Sequence, residues 1–394
     1  MLLFVNLSCY FCPFIYSMLQ PDFSYRWELI LLLLFGLTLL VQMGYFLFSF
    51  IRVALYKLKP HPVNYPPVSV VICARNEEEN LQRFLPAVLQ QEYPEFEVIV
   101  VNDCSFDASQ DLLENFARSH RNLIIREIKE VEGREHGKKF ALTIGIKAAK
   151  HETLLLTDAD CVPSSTDWIT HMVNGYGNGV ELVLGYGKYA KKPGMLNQFI
   201  RFDAFFIAVQ YLSRGLAKKA YMGVGRNLSY TKSLFFSVRG FASHMHIWSG
   251  DDDLFVNEVA NSSNVSVVID KGAFTESEPK SSWKSWFLQK KRHHSTARYY
   301  KENHKVYLLL YPLSWYLFYL SFTTALVLQY NVVLFLSGFL LRSLIQIIIL
   351  QLAANKLHEK DLGWKSVFYE FVQGFFIHPA YFFATLFVKQ RKWN

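Results

Sequence analysis

Long apolar runs bracket a middle region in which short apolar segments alternate with amphipathic ones. Leu29–Ile51 holds 23 consecutive positions without a charged residue. At 1.5 Å per helical residue, such a run can cross a hydrocarbon core of about 30 Å. Val306–Leu328 is a second uncharged run, and Val332–Leu352 is a third, broken only by Arg342. Phe371–Val388 carries Gly374, His378 and Pro379 in its middle and is predicted to be kinked or re-entrant. The first 19 residues are uncharged as well, and no Lys or Arg precedes Arg26, which argues against a signal peptide.

In the middle region, the β-branched run Val68–Ala74 reads as a buried parallel strand. Further strands are predicted at Glu97–Asn102, Leu123–Glu127 and Thr153–Thr157, with helices at Asn80–Gln91, Ser109–Arg118 and Lys138–Ala149. Strands alternating with helices predict a doubly wound α/β sheet with right-handed crossovers. Ligands in such sheets bind beyond the carboxyl ends of the strands. Three polar segments fall there: Arg75–Glu79, Asp103–Asp107 and Asp158–Asp160. Pro193–Ala217 is apolar at helical spacing but carries Arg201, Asp203 and Arg214, and is predicted to lie in the membrane interface, with core packing within the domain as the rival. The expected organisation is a membrane segment at 1–65 with a span at 29–51. A globular domain follows at 66–293, with interfacial helices near 193–217 and 281–300. A membrane region at 301–394 contains spans 306–328 and 332–352 and the kinked 371–388.

Composition supports this division. Hydrophobic residues make up 51% and charged residues 19% of the chain, the latter below the roughly 25% of ordinary soluble domains. Disorder, collagen and a small disulfide scaffold are thereby excluded. Cys9 and Cys12 lack a second pair or a His cluster, which argues against zinc and for free thiols in a reducing compartment. The net charge of +8 concentrates at membrane ends: Arg52, Lys57 and Lys59, then Arg298, Lys301 and Lys305, then Lys356, Lys360 and Lys365. That placement argues against nucleic acid. It predicts an integral protein of the plasma or inner membrane with the globular domain in the cytoplasm. Arg342 needs a partner within the bilayer, either a hydrogen bond inside the bundle or a lipid phosphate.

Asp158 and Asp160 end a predicted strand and point the same way, a pair suited to Mg2+ or Mn2+ and phosphate oxygens. Lys138 follows Gly137 at a helix start, where dipole and cation favour anions. In Asp251-Asp252-Asp253 mutual repulsion should raise at least one pKa, giving either a general base or an acidic helix start. The segment Gln289–His294 suits either a diphosphate or anionic lipid.

The ordered motifs VSVVICARNEEENL, VIVVNDCSFD, GKKFAL, LLTDAD, GVGRN, SGDDDLF and QKKRH occupy residues 68–293. In that order they resemble the membrane-bound, synthase-like family 2 glycosyltransferases, which are inverting enzymes of the GT-A fold. The resemblance implies a Rossmann-like nucleotide-diphospho-sugar transferase domain, a nucleoside-diphosphate sugar donor (a UDP-sugar ahead of a GDP-sugar) and Mg2+ or Mn2+. It places Arg75, Asn76 and Glu77 along the nucleotide, Asp103 at the base, Lys138 at the donor, Asp158 by the ribose or sugar, and Asp160 with Asp158 on the metal. Gly225, Asn227, Asp251, Gln289 and His293 would border the sugar or acceptor pocket. Asp252 would be the base, and Arg292 would face the diphosphate. Two departures stand out: His293 replaces the family's Trp, and Asp251-Asp252 replaces Glu-Asp. The implied acceptor is membrane-associated, a growing polysaccharide or a glycolipid, with a polyprenyl phosphate as the alternative. A non-catalytic scaffold or transporter component is the rival of another class, and it predicts loss of the site carboxylates.

Overall fold

Every residue of the run Val68–Ala74 is buried, as a strand covered on both faces requires. The computed structural model describes residues 23–58, 65–129, 137–177 and 179–379. The expected segment 1–19, Cys9, Cys12 and the second half of 371–388 lie outside them. The chain divides into two compact units. One comprises the chain through Phe46 with Tyr307–Ile345, and the other comprises Leu47–Val306 with the chain from Gln346 onward. The membrane region expected at 301–394 is thus shared between the units.

The elements run α1 (Phe23–Gly44), β1 (Val68–Ala74), α2 (Glu78–Leu89), β2 (Phe96–Asp103), α3 (Ser109–Ser119), β3 (Leu123–Ile128), α4 (Lys138–Ala148), β4 (Thr153–Leu156) and β5 (Cys161–Pro163). They continue as α5 (Trp168–Val173), β6 (Leu182–Leu184), β7 (Gly187–Tyr189), α6 (Met195–Leu216), β8 (Leu228–Thr231), α7 (Lys232–Ser237) and α8 (Asp253–Val259). The last are β9 (Val265–Val267), β10 (Thr275–Ser277), α9 (Trp283–His294), α10 (Glu302–Val327), α11 (Val332–Lys356) and α12 (Ser366–Val372). A π-helical turn, Tyr45–Phe50, and a short helix, Ile51–Ala54, follow α1.

In the second unit a seven-stranded sheet has the order β3-β2-β1-β4-β8-β6-β9. The four strands expected from the sequence pair in parallel, with Val70 opposite Val98 and Leu155. β8 runs antiparallel between β4 and β6, so the sheet is mixed. This reversal sets Leu228, at the start of β8, opposite Leu156, at the end of β4. The residues just before β8 therefore meet those just after β4. A second sheet, β5-β10-β7, stands beside these ends. Helix α4 sits close on the large sheet at Gly145, where a Cβ would fall 2.7 Å from Val71.

The interfacial placement expected for 193–217 is corrected: α6 is a core helix. Its apolar residues Phe199, Phe202, Phe205 and Val209 are buried, and so are Arg201 and Asp203. Arg201 pairs with Glu359 and forms a fork on Asp361, at 2.8 and 3.0 Å. Asp203 pairs with Lys290 of α9 and accepts from Gln373 at 2.9 Å. Arg201 and Asp203, two of the charges that suggested an interfacial helix, are satisfied by partners far along the chain.

In the first unit, Phe35 stacks on Phe318 at 5.0 Å and meets Phe335 at 4.4 Å. Arg342 is fully buried and donates to Gln42 Oε1 at 2.8 Å, the bundle-interior arrangement. Gln42 in turn donates to Tyr311 O at 3.0 Å and Ser314 Oγ at 2.6 Å. Among the described residues, three helices are long and apolar enough to cross a membrane: Arg26–Ala54, Glu302–Val327 and Val332–Lys356.

Removing one member of a buried ion pair strands the other. Arg201→Ala should cost about 3–5 kcal/mol, because Glu359 is left charged and enclosed. Thermal unfolding in detergent should show a clearly lowered midpoint, and an unchanged one would contradict the pairing.

Candidate active site

The antiparallel β8 builds the site by bringing Gly225 and Arg226 to the end of β4. Thr157 Oγ1 donates to Arg226 O at 3.0 Å. A small depression there is lined by Cys73, Lys138, Leu142, Leu156, Thr157, Asp158, Gly225, Asp251 and Asp252.

Lys138 is the hub. Its Nζ lies 2.8 Å from Asp158 Oδ1 and 2.9 Å from Asp251 Oδ2. Burial disfavours its charge, yet Asp158, Asp251 and Asp252 together hold it well above the usual lysine range. Lys139 instead turns inward, donating to His244 O at 2.7 Å.

The three consecutive aspartates have three fates. Asp251 is held below the ordinary carboxylate range, because Lys138 outweighs its burial. Asp253 is buried and accepts from Thr296 and, at 2.7 Å, from Tyr300. Asp252 caps α8 and accepts from the Gly225 and Asp253 backbone N–H groups, both at 2.7 Å. Burial and then repulsion from Asp251 and Asp253 push Asp252 up to about 7. Neighbouring carboxylates with pKa values driven apart take different chemical roles.

Asp158, Asp160 and Cys161 have ligand atoms within 4.8 Å of one another. Burial and repulsion from Asp158 raise Asp160, so a cation between them would relieve both. Cys161 does not fit as a hard-metal ligand. Burial holds its thiol well above the usual cysteine range, and Sγ donates to Asp160 Oδ1 at 3.3 Å. The donor set therefore suits a hard divalent cation on carboxylate oxygens, with the thiol orienting Asp160.

Other expected residues fall in different places. The loop after β1 is tied to the loop after β2: Asn76 N donates to Ser105 Oγ at 2.9 Å, and Phe106 N donates to Asn76 Oδ1 at 2.8 Å. Arg75 and Glu77 lie half-buried in this wall, and burial, reinforced by Asp160 and Asp158, raises Glu77. Asp103 is fully buried at the end of β2, with no surface to offer a base. Asn227 is corrected too. It is fully buried, donates to Tyr186 O at 3.0 Å and Ala273 O at 2.7 Å, and accepts from Trp168 Nε1 at 3.2 Å. It clasps the core and is not among the residues that line the depression. Arg292 and His293 are exposed on α9, and Gln289 Oε1 is buried without a hydrogen-bond partner among the described residues. The basic run is split, because Lys290 is buried against Asp203.

The residue that sequence reading missed is Arg226. Its guanidinium lies 4.4 Å over the Tyr189 ring and donates to Ser277 Oγ at 3.2 Å. Tyr189, Asp160 and Asp158 support its charge against burial. The available signal was its place between Gly225 and Asn227, but its partners come from β7 and β10.

Residues 69–232 match the profile of Glycosyl transferase family 2. Glycosyltransferase AglE of Haloferax volcanii is 36% identical over 132 residues, covering 33% of this chain and 42% of that protein. Poly-beta-1,6-N-acetyl-D-glucosamine synthase of Staphylococcus epidermidis is 36% identical over 96 residues, covering 24% and 22%. The chain thus spans less than half the length of these relatives. A solved structure of a mannosyltransferase from Pyrobaculum calidifontis, with GDP-Man and Mn2+, aligns over 89% of this chain and 99% of its own at a TM-score of 0.56 and 16% identity. Residues 69–232 are thus similar to Glycosyl transferase family 2, and the mixed α/β sheet shares the GT-A fold of the solved mannosyltransferase; the motifs SGDDDLF and QKKRH lie beyond the matched segment.

Proposed function

We propose that the protein transfers a sugar from a nucleoside-diphosphate sugar to a membrane-associated acceptor with inversion of configuration. The observation that supports this most is the position of Asp252, a carboxylate tuned to about 7 in the same depression as Asp158. Asp252 takes the proton of an acceptor hydroxyl as the new bond to the anomeric carbon forms. The bond from that carbon to the diphosphate oxygen breaks on the opposite face, and its electron pair leaves with the nucleoside diphosphate. Asp158 and Asp160 would hold Mg2+ or Mn2+, which when bound would neutralise diphosphate charge. Arg226 and Arg292 supply fixed positive charge toward the leaving group, and Lys138 holds Asp158 and Asp251 in place.

The three candidate spans and two relatives support this acceptor class. One is named for a polymer of N-acetyl-D-glucosamine and another for 4,4'-diaponeurosporenoate, the latter 29% identical over 120 residues. A growing polysaccharide or glycolipid is favoured over a polyprenyl phosphate. The basic residues at the membrane ends favour a cytoplasmic catalytic domain in an inner or plasma membrane. A UDP-sugar is the first donor to test, and a GDP-sugar the second. The rival scaffold reading predicts loss of site carboxylates, and Asp158, Asp160 and Asp252 are all present.

Asp252→Asn should lower turnover by roughly 10²–10⁴-fold while donor binding in detergent is retained. Full turnover would sink the assignment. Because a protonated Asp252 cannot accept the acceptor's proton, activity should rise as pH increases through about 7; a flat profile over pH 5–9 would count against it. Calorimetric titration should find Mn2+ binding weakened at least about tenfold in Asp160→Asn, with Cys161→Ser close to the parent protein. Arg226→Ala should raise the donor KM about tenfold, with Arg226→Lys recovering part of the loss.

A further inference from the structure

Residues 363–377 have their polarity reversed. Ser366, Glu370 and Gln373 are buried, while Trp364, Phe368, Phe371 and Phe375 are exposed. The exposed positions recur at i, i+4, i+7 and i+11, a single stripe along a helical path. Exposure is substantial, at 61% for Trp364 and 58% for Phe368. In a water-facing helix the order is the opposite, and contiguous aromatic surface of this kind marks a contact site.

The inward face is firmly held. Tyr369 OH and Lys365 Nζ both donate to Gln198 Oε1, at 2.7 and 2.8 Å, and Gln373 Nε2 donates to Asp203 Oδ1 at 2.9 Å. The Tyr369 ring stacks on Phe202 at 5.0 Å. These anchors belong to α6, so the outward direction of the stripe is fixed by packing.

Chain length and charge identify the occupant. Trp364 lies eight residues beyond Lys356, the end of α11. Even fully extended, that connection reaches only about 29 Å. Lys356, Lys360 and Lys365 stand at or just before the stripe, and Lys365 Nζ lies 5.0 Å from the Trp364 ring. Aromatic rings with flanking lysines match the headgroup boundary of an anionic leaflet.

We propose that residues 363–377 form an in-plane membrane seat, with the Trp364–Phe375 stripe embedded in the interface of the leaflet from which α11 emerges. This rests on reading α1, α10 and α11 as spans and is independent of the catalytic assignment. The seat would replace the start of the kinked or re-entrant segment expected at 371–388. It would also couple the bilayer to the site side of the fold, since Asp203 holds both Gln373 and Lys290, two residues before Arg292.

The full chain, in nanodiscs of phosphatidylethanolamine and phosphatidylglycerol, would carry photoreactive p-benzoylphenylalanine in place of Phe368 or Phe375. Leu340, exposed on α11, is the span reference, and Phe106, exposed in the β2–α3 loop, is the water reference. After irradiation, mass spectrometry should find acyl-chain adducts at 368, 375 and 340 and none at 106. Adducts at 340 alone, or cross-links from 368 and 375 to a second copy or within the chain, would overturn the seat and leave the spans standing. Absence of adducts at 340 would instead overturn the membrane reading on which it rests.

Discussion

The ammonium of Lys138, set between Asp158 and Asp251, is the contact on which the site's charge distribution depends. Asp158 follows a strand, Asp251 precedes a helix, and Lys138 opens another helix, so one cation ties three elements together. It also sorts the aspartates: the partner it touches stays ionised, and the next one along bears the repulsion. The lysine can sit there because α4 packs closely on the sheet, an approach that Gly145 permits by lacking a side chain.

Polar contacts enclosed in apolar surroundings organise both units. In one, Arg342 and Gln42 meet across a helix pair lined with aromatic rings. In the other, α6 carries Gln198, Arg201 and Asp203 at intervals that engage residues 359–373 and α9. A buried ion pair adds little over a good apolar contact, but a mispaired partner leaves a charge buried alone. Such contacts penalise wrong packing more than they reward right packing.

The long β-branched strands were legible because burial on both faces leaves a local imprint; VSVVICA, EVIVVN and TLLLT fall within β1, β2 and the β4 region. Strands β6, β7, β9 and β10, three residues each, are too short to show a period. The charges of α6 were misread because local pattern sees Arg201 but not Asp361, 160 positions away. Asn227 failed for the same reason: its three partners come from α5, the β6–β7 connection and the turn before β10. The carboxylates and Lys138 could be singled out because strand ends and helix starts constrain where they go. Arg226 could not, since an antiparallel strand and a second sheet create its surroundings.

The mutual hydrogen bonds of the β1 and β2 loops, with Asn76 and Cys104 in left-handed backbone, form a wall whose shape exists before any ligand arrives. A rigid wall selects by fit and leaves little disorder to be removed on association. A side whose loops are already tied together needs no rearrangement before a small molecule can enter or leave it.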